Sequence, residues 1–316
     1  MNNTGLLSRI AETLFWTGRY IERADDTARM VDVYVHRMLE EPSADEDAGC
    51  RALLAVLGIP AASDTPLDVA GTLYRIAYDP DNPSAIAGAV MSARRGARSV
   101  REVISSEMWE CLNVTSHGLA DQRISAQRLG PHVYLRFVRQ RAALFFGLAE
   151  STMSHDDAWR FLVLGRSLER VDMTARLLLA RLPATPYQLG WPALLRACGA
   201  YESFIRTRTW AGEPQQVVEF LLTDRLFPRS VVHALATAEE ALAALDPVRA
   251  GSTMADPARR SIGQLRTGLE YADPQQLPGQ LPDLLGALQR TCGEASEAIT
   301  ARYFTYEQAV TWAQEG

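Results

Sequence analysis

Glu22 and Glu169, each followed by an arginine, are the residues best placed to do chemistry. A glutamate can carry a proton, and a neighbouring arginine can hold a carboxylate or phosphate through two parallel N–H donors. Both pairs lie inside a longer string. Gly18-Arg19-Tyr20-Ile21-Glu22-Arg23-Ala24-Asp25-Asp26-Thr27-Ala28-Arg29 returns 147 residues later as Gly165-Arg166-Ser167-Leu168-Glu169-Arg170-Val171-Asp172-Met173-Thr174-Ala175-Arg176. Eight of the twelve positions are identical, and five of those eight are charged. A packed helix can be rebuilt from many apolar residues, so packing alone does not call for repeated charge.

On a helix each residue advances about 100°. With Gly18 at zero, Glu22 falls near ~40°, Asp25 near ~340° and Arg29 near ~20°, a narrow stripe flanked by Arg19 near ~100°. Arg23 lies further round. Gly165, Glu169, Asp172, Arg176 and Arg166 repeat the stripe, with Arg170 in the place of Arg23. Pairing within the helix is in reach from Arg19 to Glu22 and from Glu22 to Asp26 or Arg29. A mid-helix glycine costs about 1 kcal/mol relative to alanine, so two at one register point to something approaching the backbone. Phe15, Trp16, Tyr20, Phe161 and Leu168 flank the stripes, which makes both helices look buried all round. Buried charges must then be paired. Two readings stay open: a structural network that fixes helix register, or a site for an anionic group. On the second, Glu22 and Glu169 are the candidate catalytic groups. Arg19, Arg23, Asp25, Arg29, Arg166, Arg170, Asp172 and Arg176 are the candidate binding groups.

Other charged sets are less specific. Arg94, Arg98 and Arg101 recur at i, i+4 and i+7, either a solvated basic face or an anion clamp turned toward the Glu-Arg helices. Glu107 and Glu110 sit at i, i+3, where surface pairing is the default. Arg229, after Pro228, stands at an expected helix start, where the dipole prefers anions; an anion bound there would reverse that penalty. Asp121-Gln122-Arg123 with Arg136, Arg139, Gln140 and Arg141 reads as an exposed arginine-rich patch for surface or subunit contact.

Long helices must position these groups. Apolar residues at helical spacing predict helices over 6–39, 83–112, 131–149 and 155–182, with Asn82 capping at Pro83 and Ser154-His155-Asp156-Asp157 as a capping box. Asp47 is expected to cap a short helix through Leu57, with another near 66–77. Gly118 and Gly130 mark 113–131 as loop, the acidic stretch 40–47 is a second loop, and Pro183 with Pro186 stops the fourth long helix. Further helices are expected near 190–210, 214–223, 228–245, 255–272 and 281–313. No alternating strand pattern appears. The expected fold is all-α: one large helical bundle over 1–316, with pseudo-repeat halves of about 1–150 and 151–316.

Composition excludes several chemistries. All 32 basic residues are arginine, so no lysine is present for a Schiff base or a phosphate loop. The four cysteines form no CxxC, and the five histidines form no HxxxH or ExxH pair, so no zinc or di-iron site is expected and no cofactor is called for. A net charge of −6 gives no global field for nucleic acid. No apolar run approaches the ~18–20 residues of a membrane span, and no basic region precedes an apolar one, so neither a membrane segment nor a signal peptide is expected and the compartment reads as cytoplasmic. Neither GxSxG nor a Cys/His nucleophile pair occurs.

The stretch from Leu6-Leu7-Ser8-Arg9-Ile10-Ala11-Glu12 through Arg29 resembles the opening of the alpha-E proteins, a bacterial all-helical family named for its Glu-Arg motif. Ser92-Ala93-Arg94-Arg95-Gly96-Ala97-Arg98 with Arg101-Glu102 and Ser105–Glu110 resembles a second signature, and Phe227-Pro228-Arg229-Ser230-Val231 a third. The likeness runs from about Leu6 to Tyr303. At one point the chain departs: Arg95 and Gly96 stand where the family usually has Glu and Asn. The resemblance implies association with circularly permuted ATP-grasp and transglutaminase-like proteins, hence a role in forming or processing amide or peptide bonds, with a small anionic or peptide ligand. It also draws Arg94, Arg98 and Arg229 into the candidate site. Whether the chain is itself an enzyme, or a scaffold or binding partner of an ATP-grasp ligase, stays open, as does its oligomeric state.

Overall fold

The structure is a computed structural model and describes residue 6 and residues 8–40, 45–61, 65–182, 189–208, 213–246 and 256–304. Two long helices form its centre: α1, Ser8–Glu40, and α7, Asp157–Leu179. They cross where both lack a side chain. A Cβ on Gly18 would stand 2.1 Å from the Leu162 carbonyl oxygen, and one on Gly165 would stand 2.0 Å from that of Phe15. No side chain fits at such distances, so the two glycines let the backbones touch.

Each central helix has its own flanks. On one side α1 packs against α4 (Ile86–Arg98) and α6 (His132–Thr152), with α5 (Ser106–Leu129) closing a hairpin onto α6. On the other side α7 packs against α11 (Val231–Leu245) and α13 (Leu277–Tyr303), with α12 (Pro257–Glu270) between those two. Shorter helices fill the periphery: α2 (Glu46–Val56), α3 (Val69–Leu73) running into a π-helical turn at Tyr74–Tyr78, α8 (Trp191–Ala197), α9 (Tyr201–Thr207) and α10 (Pro214–Thr223). One cluster of buried apolar side chains extends from Ile10 to Phe304, and its burial is the main favourable term in folding. Among the described residues there is no strand, and the fold is all-α.

Several helix boundaries differ from the sequence reading. The helix expected over 83–112 is two helices. Asn82 accepts from the Ser84 N–H at 3.0 Å and its carbonyl accepts from Ala85, so Pro83 sits in a turn that packs onto Gly88. Ser105 then caps α5 through the Met108 N–H. The loop expected at 113–131 is helix as far as Leu129. Gly118 is a notch there, since a Cβ on it would lie 3.0 Å from the Phe137 ring. The expected 190–210 helix breaks at Gly199, whose φ of +61° ends α8. Asp45, not Asp47, caps α2; Asp47 instead accepts from the Leu67 N–H at 2.7 Å and pairs with Arg51. Asp156 caps α7 through Ala158 and Trp159. The stop at Pro183 and Pro186, and positions 305–313 of the last expected helix, lie outside the described residues.

Candidate functional site

The repeated charges meet at the crossing, and they pair across it. Glu169 on α7 accepts from Arg19 Nε at 2.7 Å and Arg23 Nε at 2.6 Å, both on α1. Glu22 on α1 accepts from Arg170 Nε at 2.5 Å and Arg166 Nε at 3.1 Å, both on α7. Each glutamate is therefore clamped by the arginines of the other segment, not by its own as intrahelical pairing had allowed. Only the last pair of each stripe stays within its helix: Arg29 to Asp25 at 3.1 Å and Arg176 to Asp172 at 2.9 Å. The tips of these two arginines lie against left-handed glycines, Gly199 for Arg29 and Gly58 for Arg176.

The two ends differ in what surrounds them. Arg229 precedes α11, where Ser230 is the cap, so it lies outside the first turn in which the sequence reading had placed it. No bound anion is needed to explain it, because α1 supplies three carboxylates. Arg229 pairs with Glu22 at 3.0 Å, and also with Asp25 and Asp26. Arg170 Nη1 donates to the Pro228 carbonyl at 3.2 Å, tying that turn to α7. Around Glu169 the corresponding extra contact is neutral, Arg19 Nη1 to the Ser296 hydroxyl at 3.0 Å. The counterpart of Asp26 there is Met173.

Both glutamates are 0–1% exposed, so their charge is stable only through these partners. Burial favours the neutral acid in Glu22, but Arg170, Arg229 and Arg166 overcome it and hold the carboxyl well below its usual range. For Glu169, burial is likewise overcome by Arg19 and Arg23. Asp26 goes the other way. Its burial and the nearby Glu22 and Asp25 outweigh Arg229 and push it up to about 7. One guanidinium thus serves three carboxylates, and Asp26 holds its proton more easily than an ordinary aspartate. Glu22, Asp25 and Asp26 bring ligand oxygens within 4.8 Å of one another, a spacing that fits a metal ion, but the guanidinium of Arg229 is the cation paired with them here.

Of the sequence candidates, the crossing gathers Arg19, Glu22, Arg23, Asp25, Arg166, Glu169, Arg170 and Arg229, while Arg29 with Asp25 and Arg176 with Asp172 form intrahelical pairs further along α1 and α7. Arg94 and Arg98 are not there. Arg94 donates to Asn113 at 2.8 Å and lies over Trp109, while Arg98 is exposed at the end of α4. The face of α4 that meets α1 is the small one: Gly96 packs on Thr13 and Thr17. Arg95 is exposed and donates to Ser92. Asp26 was missed because a repeat comparison keeps only shared positions, and its signal was its place beside Asp25.

A second charged region lies along the last turns of α1. An open cleft of about 850 Å³ is lined by Arg29, Arg37, Arg139, Arg196, Asp32 and Glu202, among others. A neighbouring one of about 480 Å³ shares Arg29, Asp32, His36 and Arg139 and adds Arg136 and His132. From the sequence alone Arg136 and Arg139 belong to a patch for surface or subunit contact; the structure sets them along a cleft.

These helices, and the Glu-Arg pair in each central one, are the features of the Alpha-E family, described as a predicted alpha-helical domain with a conserved ER motif; its profile matches residues 6–304, and the chain belongs to this family. Uncharacterised proteins of Mycobacterium bovis and Mycobacterium tuberculosis are each 25% identical to it over 326 residues, covering 93% of this chain. The chain spans only 36% of the length of those relatives. No solved structure matches it.

Proposed function

We propose that the protein is a non-catalytic helical partner in an ATP-grasp-associated system that forms or processes amide or peptide bonds, and that the two Glu-Arg motifs are its structural clasp. One observation carries this reading: the crossing is closed. Glu22 and Glu169 are buried, each holds two guanidinium groups of the opposite helix, and the helices touch at Gly18 and Gly165. A general acid or base needs access to a substrate proton, and a carboxyl held ionised by two or three arginines is a poor proton carrier at neutral pH. The same arrangement is well suited to fixing the register of two helices. The relatives support a partner role, since the matching region is about a third of their length and so occurs there beside other sequence.

The partner in this reading is an ATP-grasp or transglutaminase-like protein, the setting is the cytoplasm, and the ligand is a small anionic or peptide molecule. Four buried, unpaired cysteines support a reducing compartment. Among the described residues no helix is long and apolar enough to cross a membrane.

Co-purification with an ATP-grasp protein encoded in the same genome, followed by mass analysis of what the complex makes from amino acids and ATP, tests the proposal. In Glu22→Gln and Glu169→Gln variants the melting temperature should fall while the complex still forms and turns over. Unchanged stability with turnover abolished would overturn it.

A further inference from the structure

The geometry points to the cleft along the C-terminal half of α1 as a binding site for a small molecule carrying at least two anionic groups, phosphate or carboxylate. It would give the small anionic ligand of the proposed function a place away from the crossing, but it stands on the lining of the cleft and not on the ATP-grasp setting. The cleft and its neighbour form one trough, because both are lined by Arg29, Asp32, His36 and Arg139. One wall is α6, which contributes Arg136 and Arg139. The other runs from Gly190 through α8 to Glu202 and contributes Arg196.

Charge sets the trough apart from the rest of the chain. The protein carries a net −6, yet five arginines line the trough against two lining carboxylates, Asp32 and Glu202, with Asp25 pairing Arg29 from behind. Asp32 is already engaged by Arg139 at 3.2 Å and by His36 at 3.5 Å. Arg136 and Arg196 are exposed and have no carboxylate partner among the described residues; Arg196 is placed over the Tyr201 ring, 4.3 Å from its centre. Arg139 feels the imbalance. Its burial and the like charge of Arg29 lower its pKa despite Asp32. Concave walls with excess charge of one sign concentrate ions of the other.

The lining also narrows the ligand. A volume of about 850 Å³ suits a small molecule, not a lone ion. Among the described residues that line the trough there is no Phe, Tyr or Trp on which a base or ring would stack. Recognition therefore falls to the guanidinium forks, which fit the planar oxygen pairs of carboxylate and phosphate. Several forks spaced along one trough select for more than one anionic group.

Calorimetric titration of the purified chain with tripolyphosphate and, separately, with citrate tests this, with acetate as the single-charge control. Saturable binding of tripolyphosphate, of citrate or of both supports the site, and the preferred anion tells phosphate from carboxylate ligands. The double variant R136A/R196A should bind about tenfold more weakly, since it removes two charge-assisted contacts. Arg94→Ala, on a different face, should bind as the parent does. Because Arg136 and Arg196 are exposed, the double variant should keep its melting temperature. No saturable binding of either polyanion, or equal affinity in parent and double variant, would overturn the inference.

Discussion

The helix crossing and the trough are both rich in arginine, and they use it in opposite ways. At the crossing both glutamates are buried and shared by arginines from the facing helix, and the backbones touch at two glycines. In the trough, arginines outnumber carboxylates, and two of them, Arg136 and Arg196, are exposed. Arg29 belongs to both, bonded to Asp25 on one side and lining the trough on the other. The difference teaches that a repeated charged motif is not by itself a binding site. Burial and charge balance separate arginines such as Arg166 and Arg170, which hold a fold together, from Arg136 and Arg196, which have no carboxylate partner among the described residues.

The largest effect is expected at Glu22. Glu22→Gln leaves Arg166, Arg170 and Arg229 gathered around a neutral group, and chemical denaturation should show a loss of about 3–5 kcal/mol, the usual cost of removing one partner from a buried ion pair. Glu169→Gln strands two guanidinium groups instead of three and should cost less. Equal, negligible losses would place both glutamates outside the clasp.

Next in size is the contact of the two backbones. On helix propensity alone, Gly18→Ala and Gly165→Ala should each gain stability, by up to about 1 kcal/mol. At 2.1 and 2.0 Å from a carbonyl oxygen the added methyl must instead drive the helices apart, so each variant should lose about 1–3 kcal/mol. Gly147→Ala, where a Cβ would meet nothing within 4 Å, should follow propensity and stabilise. Thermal melts of the three variants side by side check this, and a stabilising Gly18→Ala would contradict the close crossing.

A separate effect is expected in pH. Asp26 sits at about 7 in the folded chain, above its unfolded value, so between about pH 4 and 7 the folded state holds more protons than the unfolded one. Its contribution to stability is present at the acid end of that window and fades as pH rises through it. Glu22 and Glu169, held low, act in the opposite sense: their contribution is present above the ordinary carboxylate range and is lost on acidification below it. Stability should therefore peak on the acid side of neutral. Asp26→Asn should flatten the decline toward pH 7 in urea midpoints, and an unchanged slope would count against a strained carboxylate there.

Much of this was legible in the chain. The fold class followed from apolar spacing, and the repeat of Gly18–Arg29 at Gly165–Arg176 singled out the residues that meet at the crossing. The partner of each charge was not legible. A helical wheel gives the face on which Glu22 lies, but not that Arg166 and Arg170 will face it, because that depends on where two helices cross. The break at 99–105 was hidden because Ser99 and Ser105 end and start helices through local hydrogen bonds that apolar spacing does not record. The trough was invisible for a similar reason: Arg29, Arg139 and Arg196 come from three distant helices, and nothing in their local spacing joins them.

One pair of measurements made on the same samples separates the two roles. Melting temperature and tripolyphosphate affinity should be compared for the parent chain, Glu169→Gln and R136A/R196A. Glu169→Gln should melt lower but bind as the parent does, and the double variant should melt as the parent does but bind more weakly. Loss of binding in Glu169→Gln at unchanged melting temperature, with the double variant unaffected, would return the ligand to the Glu-Arg crossing and contradict the account.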